Sequence, residues 1–255
     1  MTKSLASSFN EYFQVILADT AELRKEVYRL RYEVYCREFK FEREEDFPNG
    51  LEKDRFDDDR SHHCLLLHRQ SGLFAGCVRL VFNDQTNIES TLPFESGLGD
   101  SLKTTRVISL LQHHKEIGEI SRLAVPAEFR RRKADIGSPI GDISGRSFSS
   151  DERRSFPYIP LGLYLTAAAV GLEMNMRGVF AIMEPRLARH LQRFGIVFEQ
   201  VGDITYYHGE RAPFYISKQG LFDQLQSPVR DLLDLILNEI SEQMKTGKQL
   251  AYQCS

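Results

Sequence analysis

The densest run of chemistry-bearing side chains is LEKDRFDDDRSHHCLLL, from Leu51, which sets Glu52, Asp54, Asp57, Asp58 and Asp59 beside His62 and His63. Divalent metals take carboxylates and imidazoles as ligands, so a metal site is the first chemistry to weigh. Its spacing argues against that use. Side chains alternate along an extended segment, so three consecutive Asp residues cannot all face one ion, and His62 and His63 point to opposite faces if they open the strand that continues into CLLL. His113, His114, His190 and His208 have no ligand-like spacing near a carboxylate pair. Two other clusters stand out. GEISRLAV places Glu119, Ser121 and Arg122 in one strand-like run, and FRRRKADIG gathers Arg130, Arg131, Arg132 and Lys133. A solvated acidic turn and a solvated basic loop are the plain alternatives for the charged segments.

The chain has 255 residues, 42% of them hydrophobic and 27% charged, which suits one large domain or two small ones with a real core. A formal net charge of -3 gives no global reason to expect nucleic acid as a partner. Cys36, Cys64, Cys77 and Cys254 form no CxxC pair, and two of them sit in apolar runs, as reduced buried thiols do. MTKSLASSFNEYF lacks the apolar core of a signal peptide, and LGLYLTAAAVGLEMNM meets Glu173 before the ~20 residues of a membrane span. A cytoplasmic protein without an integral membrane segment is expected.

These groups need a scaffold, and the hydrophobic periods suggest one. After a polar start, YFQVILAD from Tyr12 reads as a strand, and Asp19 with Glu22 reads as a capping box opening a helix. Leu23, Val27, Leu30 and Val34 share one face of that helix, which carries Arg31 and Tyr35. HHCLLLH and LFAGCVRLVF are strands joined through RQSG, where Gly72 is free to take a positive φ. The segment from Asn83 to Thr105 reads as loop, GEISRLAV as a strand, and the Gly-, Ser- and Arg-rich stretch that follows as a long mobile insertion at about 134–157. A helix from about Leu161 to Met176, a strand in GVFAIME, a short helix opened by Pro185, and strands in IVFEQV and RAPFYIS complete a domain over 1–220. A C-terminal helical extension over 221–255 carries Leu232, Leu233, Ile236 and Ile240 near one face. The layout is α+β, with helices covering a mixed, mostly antiparallel sheet.

Taken together, four segments resemble the GCN5-related N-acyltransferase superfamily, in the branch of acyl-homoserine-lactone synthases and N-acyl amino acid synthases. The resemblance is nearest to the acyltransferases associated with PEP-CTERM/exosortase systems. RYEVYCREFKF matches an Arg, aromatic, Trp pattern with Arg31, Tyr35 and Phe41, Phe standing for Trp. Glu52, Asp54, Phe56 and Asp57 match an acidic E-x-D-x-F-D loop, Arg79 a strand arginine, and Glu119, Ser121 and Arg122 the E-x-S-R of the central strand. TLPFE, from Thr91, is similar to a further family segment. In place of the superfamily's glycine-containing pyrophosphate loop, Lys133 and Asp135 follow Arg130.

The resemblance implies a thioester-dependent acyltransferase with no tightly bound cofactor and no covalent enzyme intermediate. Glu119 would serve as general base, Asp54 and Asp57 would pin the acidic loop and face a cationic amine with Arg31 bracing them, and Arg79 and Arg122 would hold these carboxylates together or meet the donor, Arg122 being the donor-side candidate. Arg31, Tyr35, Phe41, Arg79, Ser121, Leu123 and Val125 would line the substrates, the last two through backbone N–H groups. Arg130, Arg131, Arg132 and Lys133 would meet an acyl carrier protein or the phosphates of acyl-CoA. For Glu119 an architectural ion pair with Arg79 or Arg122 is the alternative. Two rival functions remain. One is a lactone-forming autoinducer synthase using S-adenosylmethionine, against which Phe41, the insertion and the C-terminal helix weigh. The other is a non-catalytic acyl-thioester sensor.

Overall fold

The computed structural model describes residues 3–58, 60–83, 90–97, 104–130, 156–206 and 209–253. The expected insertion falls mostly outside them, as do Arg131, Arg132 and Lys133. Its last part belongs to the core instead: Phe156 is buried and packs against Phe129 at 5.2 Å between ring centres.

Eight strands build one sheet: β1 (Phe13–Leu17), β2 (Ser61–His68), β3 (Leu73–Phe82), β4 (Ile117–Ala124), β5 (Gly178–Met183), β6 (Glu199–Gln200), β7 (Thr205–Tyr206) and β8 (Glu210–Ser217). Their order is β1-β2-β3-β4-β5-β8-β6, with β7 paired to β8. Every pairing is antiparallel except β4 with β5. The β2–β3 turn places Gly72 at φ +69°, as its sequence suggests.

The helices are α1 (Leu5–Tyr12), α2 (Ala21–Arg31), α3 (Pro93–Gly97), α4 (Thr105–Leu111), α5 (Ile159–Glu173), α6 (Pro185–Gln192), α7 (Lys218–Gln224) and α8 (Ser227–Gln253). Among the described residues none is long and apolar enough to cross a membrane. Three expectations are corrected. The polar start is a helix, α1, capped by Ser4. The N-cap of α2 is Thr20, whose hydroxyl accepts from Leu23 N, so Asp19 stands one residue too early. The stretch read as loop carries α3, and α4 opens on its last residue, Thr105; both are too short to show a helical period.

Helix α5 is apolar all round because it is covered on both sides. Its sheet side meets Val78, Leu80, Ile120 and Val179, and α8 adds Leu232, Leu233, Ile236 and Ile240, all fully buried in the same core. Each such aliphatic side chain contributes roughly 1.5–3 kcal/mol. Helix α8 also closes the open edge of β1: Leu17 N donates to Gln243 Oε1 at 2.8 Å, and Gln243 Nε2 donates to Val15 O at 3.0 Å. The opposite sheet face is covered by α2, through Val27 and Leu30, and by Leu92, Phe94 and Val107. The charged cluster lies on this second face.

Candidate active site

Helix α2 ends in an irregularity that matters. From Tyr32 to Glu38 the chain winds as a π-helix, with Phe39 N donating to Val34 O. A π turn inside a helix is rare and is commonly found at functional sites. It keeps Arg31 and Tyr35 on the same side, toward β3 and β4. A second irregularity lies in β4. Cys77 pairs with Ala124 but Arg79 pairs with Ser121, so β4 holds one residue more than β3 across that interval. The bulge contains Arg122 at φ +52°, a left-handed conformation rare for a side chain of this size. The bulge re-aims Arg122 onto the face already occupied by Arg79 and Ser121.

The acidic loop folds over the same spot. Arg31 grips both Asp57 oxygens, Nη1 to Oδ1 at 2.8 Å and Nη2 to Oδ2 at 3.0 Å, and its Nε donates to Glu52. Arg79 Nη1 lies 2.7 Å from Asp54 Oδ1 and from Asp57 Oδ1, and its Nε donates to Ser121 Oγ at 3.1 Å. Arg122 reaches Glu52 Oε1 and Asp54 Oδ2, each at 3.2 Å. Asp54 accepts from Phe56 N at 2.9 Å, which closes the turn locally. Three guanidinium groups thus neutralise three carboxylates. Burial opposes ionisation of Asp57, but Arg31 and Arg79 overcome it and hold its carboxyl well below the usual range. Asp54 is lowered in the same way, chiefly by Arg79 against burial.

Exposure separates the predicted residues. Arg31, Asp57 and Arg79 are shut away from solvent, at 0–1%. Arg31 and Arg79, expected to line substrate or to hold the carboxylates together, both contact Asp57 here, and all three side chains are turned away from solvent. Asp54 and Arg122 keep about a quarter of their side chains exposed, 24% and 25%, and remain on the cleft wall with Tyr35, Phe41, Ser121 and Leu123, all half-buried. Val125 is buried in the core, so only its backbone faces the strand edge. Arg130 pairs with Glu38 and lies over the Phe39 ring at 4.4 Å, so its charge already has a partner. His63 is buried beneath Asp57, and desolvation pulls its imidazole down to about 4, keeping it neutral; His62 lies nearer the surface against Phe82, on the opposite face of β2.

Glu119 differs from the other carboxylates. Though buried, it forms no ion pair with Arg79, Arg122 or any other described residue, and its Oε2 accepts from Phe94 N at 2.7 Å. Burial pushes its carboxyl up to about 7, only partly offset by that amide and by Arg79 and Arg122. Phe94 is held in turn by stacking on Phe180 at 4.4 Å. The ion pair with Arg79 or Arg122 that the alternative expected is not formed between these described residues; Glu119 holds Phe94 N instead.

Strand β4 parts from β5 just beyond this residue. Their ladder runs from Ile117 with Gly178 to Ile120 with Ala181, while β4 continues to Ala124 and β5 to Met183. From Ser121 onward the β5-facing edge of β4 has no strand partner among the described residues. On the α5 side, a small apolar cavity of about 40 Å³, partly open to solvent, is lined by Ile120, Tyr164, Ala168, Gly171, Phe198 and Ile216. Tyr164, on the cavity wall, is buried, and burial raises its phenol.

A diverging parallel pair inside an otherwise antiparallel sheet, with a bulge in the first strand of the pair, fits one known architecture. Residues 30–136 match the family described as acetyltransferase (GNAT) domain. The fold is GNAT-like. Among solved structures, FeeM, an N-acyl amino acid synthase from uncultured soil microbes, aligns with TM-score 0.53 and 12% identity over 84% of this chain and 94% of its own. TofI, in a ternary complex with an inhibitor and MTA, aligns with TM-score 0.55 and 16% identity over 85% and 96%. No curated protein matches the chain in sequence.

One feature of this GNAT-like site went unread in the sequence. Arg186, Arg189, His190 and Arg193, at the i, i+3, i+4, i+7 spacing, are exposed along α6, which starts directly after β5 at the open end of the cleft. None of the three arginines forms an ion pair with a described residue. The signal was present in PRLARHLQRF, and only its length concealed it.

Proposed function

We propose that the protein is an N-acyltransferase that moves a fatty acyl group from a thioester, acyl-CoA or acyl carrier protein, to the amine of an amino-acid-like acceptor in a ternary complex. The observation that carries this reading is Glu119, a buried carboxyl with no cationic partner among the described residues, raised to about 7, beside the point where β4 and β5 diverge. A base poised there can take the proton of an ammonium group near neutral pH. An ionised Glu119 adds a negative charge beside the acceptor position, which favours an ammonium acceptor over an anionic one.

The acceptor nitrogen attacks the thioester carbonyl and forms the C–N bond. Glu119 takes one proton of the acceptor ammonium before the attack, directly or through water, and as the C–S bond breaks the second proton shed by the nitrogen passes to the leaving sulfur, which becomes a thiol. The free backbone edge of β4 from Ser121 to Val125 offers N–H groups to the donor and to the oxyanion. Asp54 faces the amine and Arg122 the donor, while the small apolar cavity lined by Tyr164 suits part of an alkyl chain. The exposed stripe on α6 supports a polyanionic donor head, whether phosphate or an acidic carrier surface.

The test incubates purified protein with acyl-CoA thioesters and with acyl carrier protein loaded with the same chains, plus a pool of amino acids, and follows thiol release. Mass spectrometry of the amide product names both substrates. Binding of thioester without thiol release would refute the reading in favour of a sensor, and release that requires S-adenosylmethionine would favour a lactone synthase.

A further inference from the structure

The two backbone irregularities of the site meet through one hydroxyl. Tyr35, in the π-helix, donates its O–H to the carbonyl of Leu123 at 2.8 Å, inside the β4 bulge. Its ring lies 5.7 Å from the guanidinium of Arg122, the bulge's left-handed residue, and its other neighbour is Phe41, stacked at 6.4 Å between ring centres. The Tyr35 carbonyl accepts from Phe41 N at 2.8 Å, so the same residue fixes the loop that bears Phe41. A bulged residue lies outside the regular ladder, and the orientation of its peptides must be set by something other than a neighbouring strand. Here that group is a phenol from a separate element, 88 residues away in sequence.

We propose that Tyr35 is a positioning residue for the acyl donor: its hydroxyl fixes the peptide at Leu123, and with it the line of backbone groups from Leu123 to Val125 along which the thioester would lie. This rests on the acyl-transfer reading above. It differs from a substrate-lining role because the hydroxyl is engaged by the protein itself, and a phenylalanine would keep the ring, the Arg122 contact and the Phe41 stack. Glu119, on the far side of Ser121, is held by Phe94 and makes no contact with Tyr35. Donor and acceptor constants should therefore respond differently to losing this hydroxyl.

The experiment compares wild type with Tyr35→Phe, using palmitoyl-CoA and decanoyl-CoA as donors and a non-reactive thioether analogue of palmitoyl-CoA as a binding probe. Expected for Tyr35→Phe is a donor kcat/KM reduced about tenfold, with weaker analogue binding. The acceptor KM and the pH midpoint of the rate should stay unchanged, and the melting temperature close to wild type. Donor constants within twofold of wild type would overturn the proposal while leaving acyl transfer standing. A loss shared equally by donor and acceptor constants, with a lowered melting temperature, would overturn it too, as the mark of a merely structural residue. A wild type that neither binds the analogue nor releases thiol from either chain, whether carried on CoA or on acyl carrier protein, would overturn both this proposal and the reading it rests on.

Discussion

Replacing Glu119 with Gln separates function from stability in opposite directions. The carboxyl is 3% exposed and titrates at about 7 instead of the usual 4.5, a difference worth roughly 3 kcal/mol. The sign follows from proton binding. Between pH 4.5 and 7 the folded protein keeps this proton while the unfolded chain has lost it, so stability falls as pH rises through that window and stays reduced above it. Gln cannot ionise, yet its amide oxygen can still accept from Phe94 N. Glu119→Gln should therefore lose about 10²–10⁴-fold in rate, the usual contribution of a general base. It should also gain up to roughly 3 kcal/mol at pH 8 and little at pH 4.5. Thiol-release kinetics give the first quantity, and urea unfolding at both pH values gives the second. Wild-type turnover by the variant would refute the assignment of the base, and equal stability changes at both pH values would refute the raised titration of Glu119. In wild type the rate itself should rise with pH through about 7.

Other perturbations test the frame. Arg31→Met leaves Asp57 to Arg79 alone and Glu52 to Arg122 alone, with the buried carboxylates outnumbering the cations, and should cost about 3–5 kcal/mol in urea unfolding, whatever the assay of activity says. Gly162→Ala places a methyl 2.4 Å from the buried Phe9 ring and should lower the melting temperature, whereas Gly171→Ala meets nothing nearer than 3.7 Å and should be neutral or raise it. Reversing Arg186, Arg189 and Arg193 to Glu should weaken the donor's apparent KM at low salt without changing the melting temperature, because all three are exposed and unpaired; the effect should shrink as salt is added.

The sheet and its main helices were legible because their signals are long. The apolar runs of β2 and β3, the apolar continuity of α5 and the face shared by Leu232, Leu233, Ile236 and Ile240 each extend over many residues. The short elements were not. Helices α3 and α4 occupy five and seven residues, too few for a period to emerge. In IVFEQV only Glu199–Gln200 pair as a strand, and β7 has two residues. The site's residue types were visible through the family pattern, but their division of labour was not. Nothing in the string distinguishes Asp54, on the cleft wall, from Asp57 three positions on, which turns fully inward because Arg31 and Arg79 both reach it. The π-helix and the bulge were likewise invisible, since each adds a single residue to an otherwise ordinary pattern.

Those two added residues explain why the cluster can hold three arginines on one face. Arg79 occupies the regular position on β3. Were β4 regular, residue 122 would point to the opposite face from Ser121 and into the apolar core under α5. The left-handed φ of Arg122 costs on the order of 1–3 kcal/mol. Its contacts with Glu52 and Asp54, the latter two positions further along the same loop, can offset that cost, because both carboxylates would otherwise be left short of a cation in a poorly solvated site. The bulge is therefore sustained by the acidic loop, and the acidic loop is neutralised by the bulge. What this mutual arrangement leaves over is Glu119, the carboxyl on the same strand that no arginine reaches and that can consequently change its charge near neutral pH.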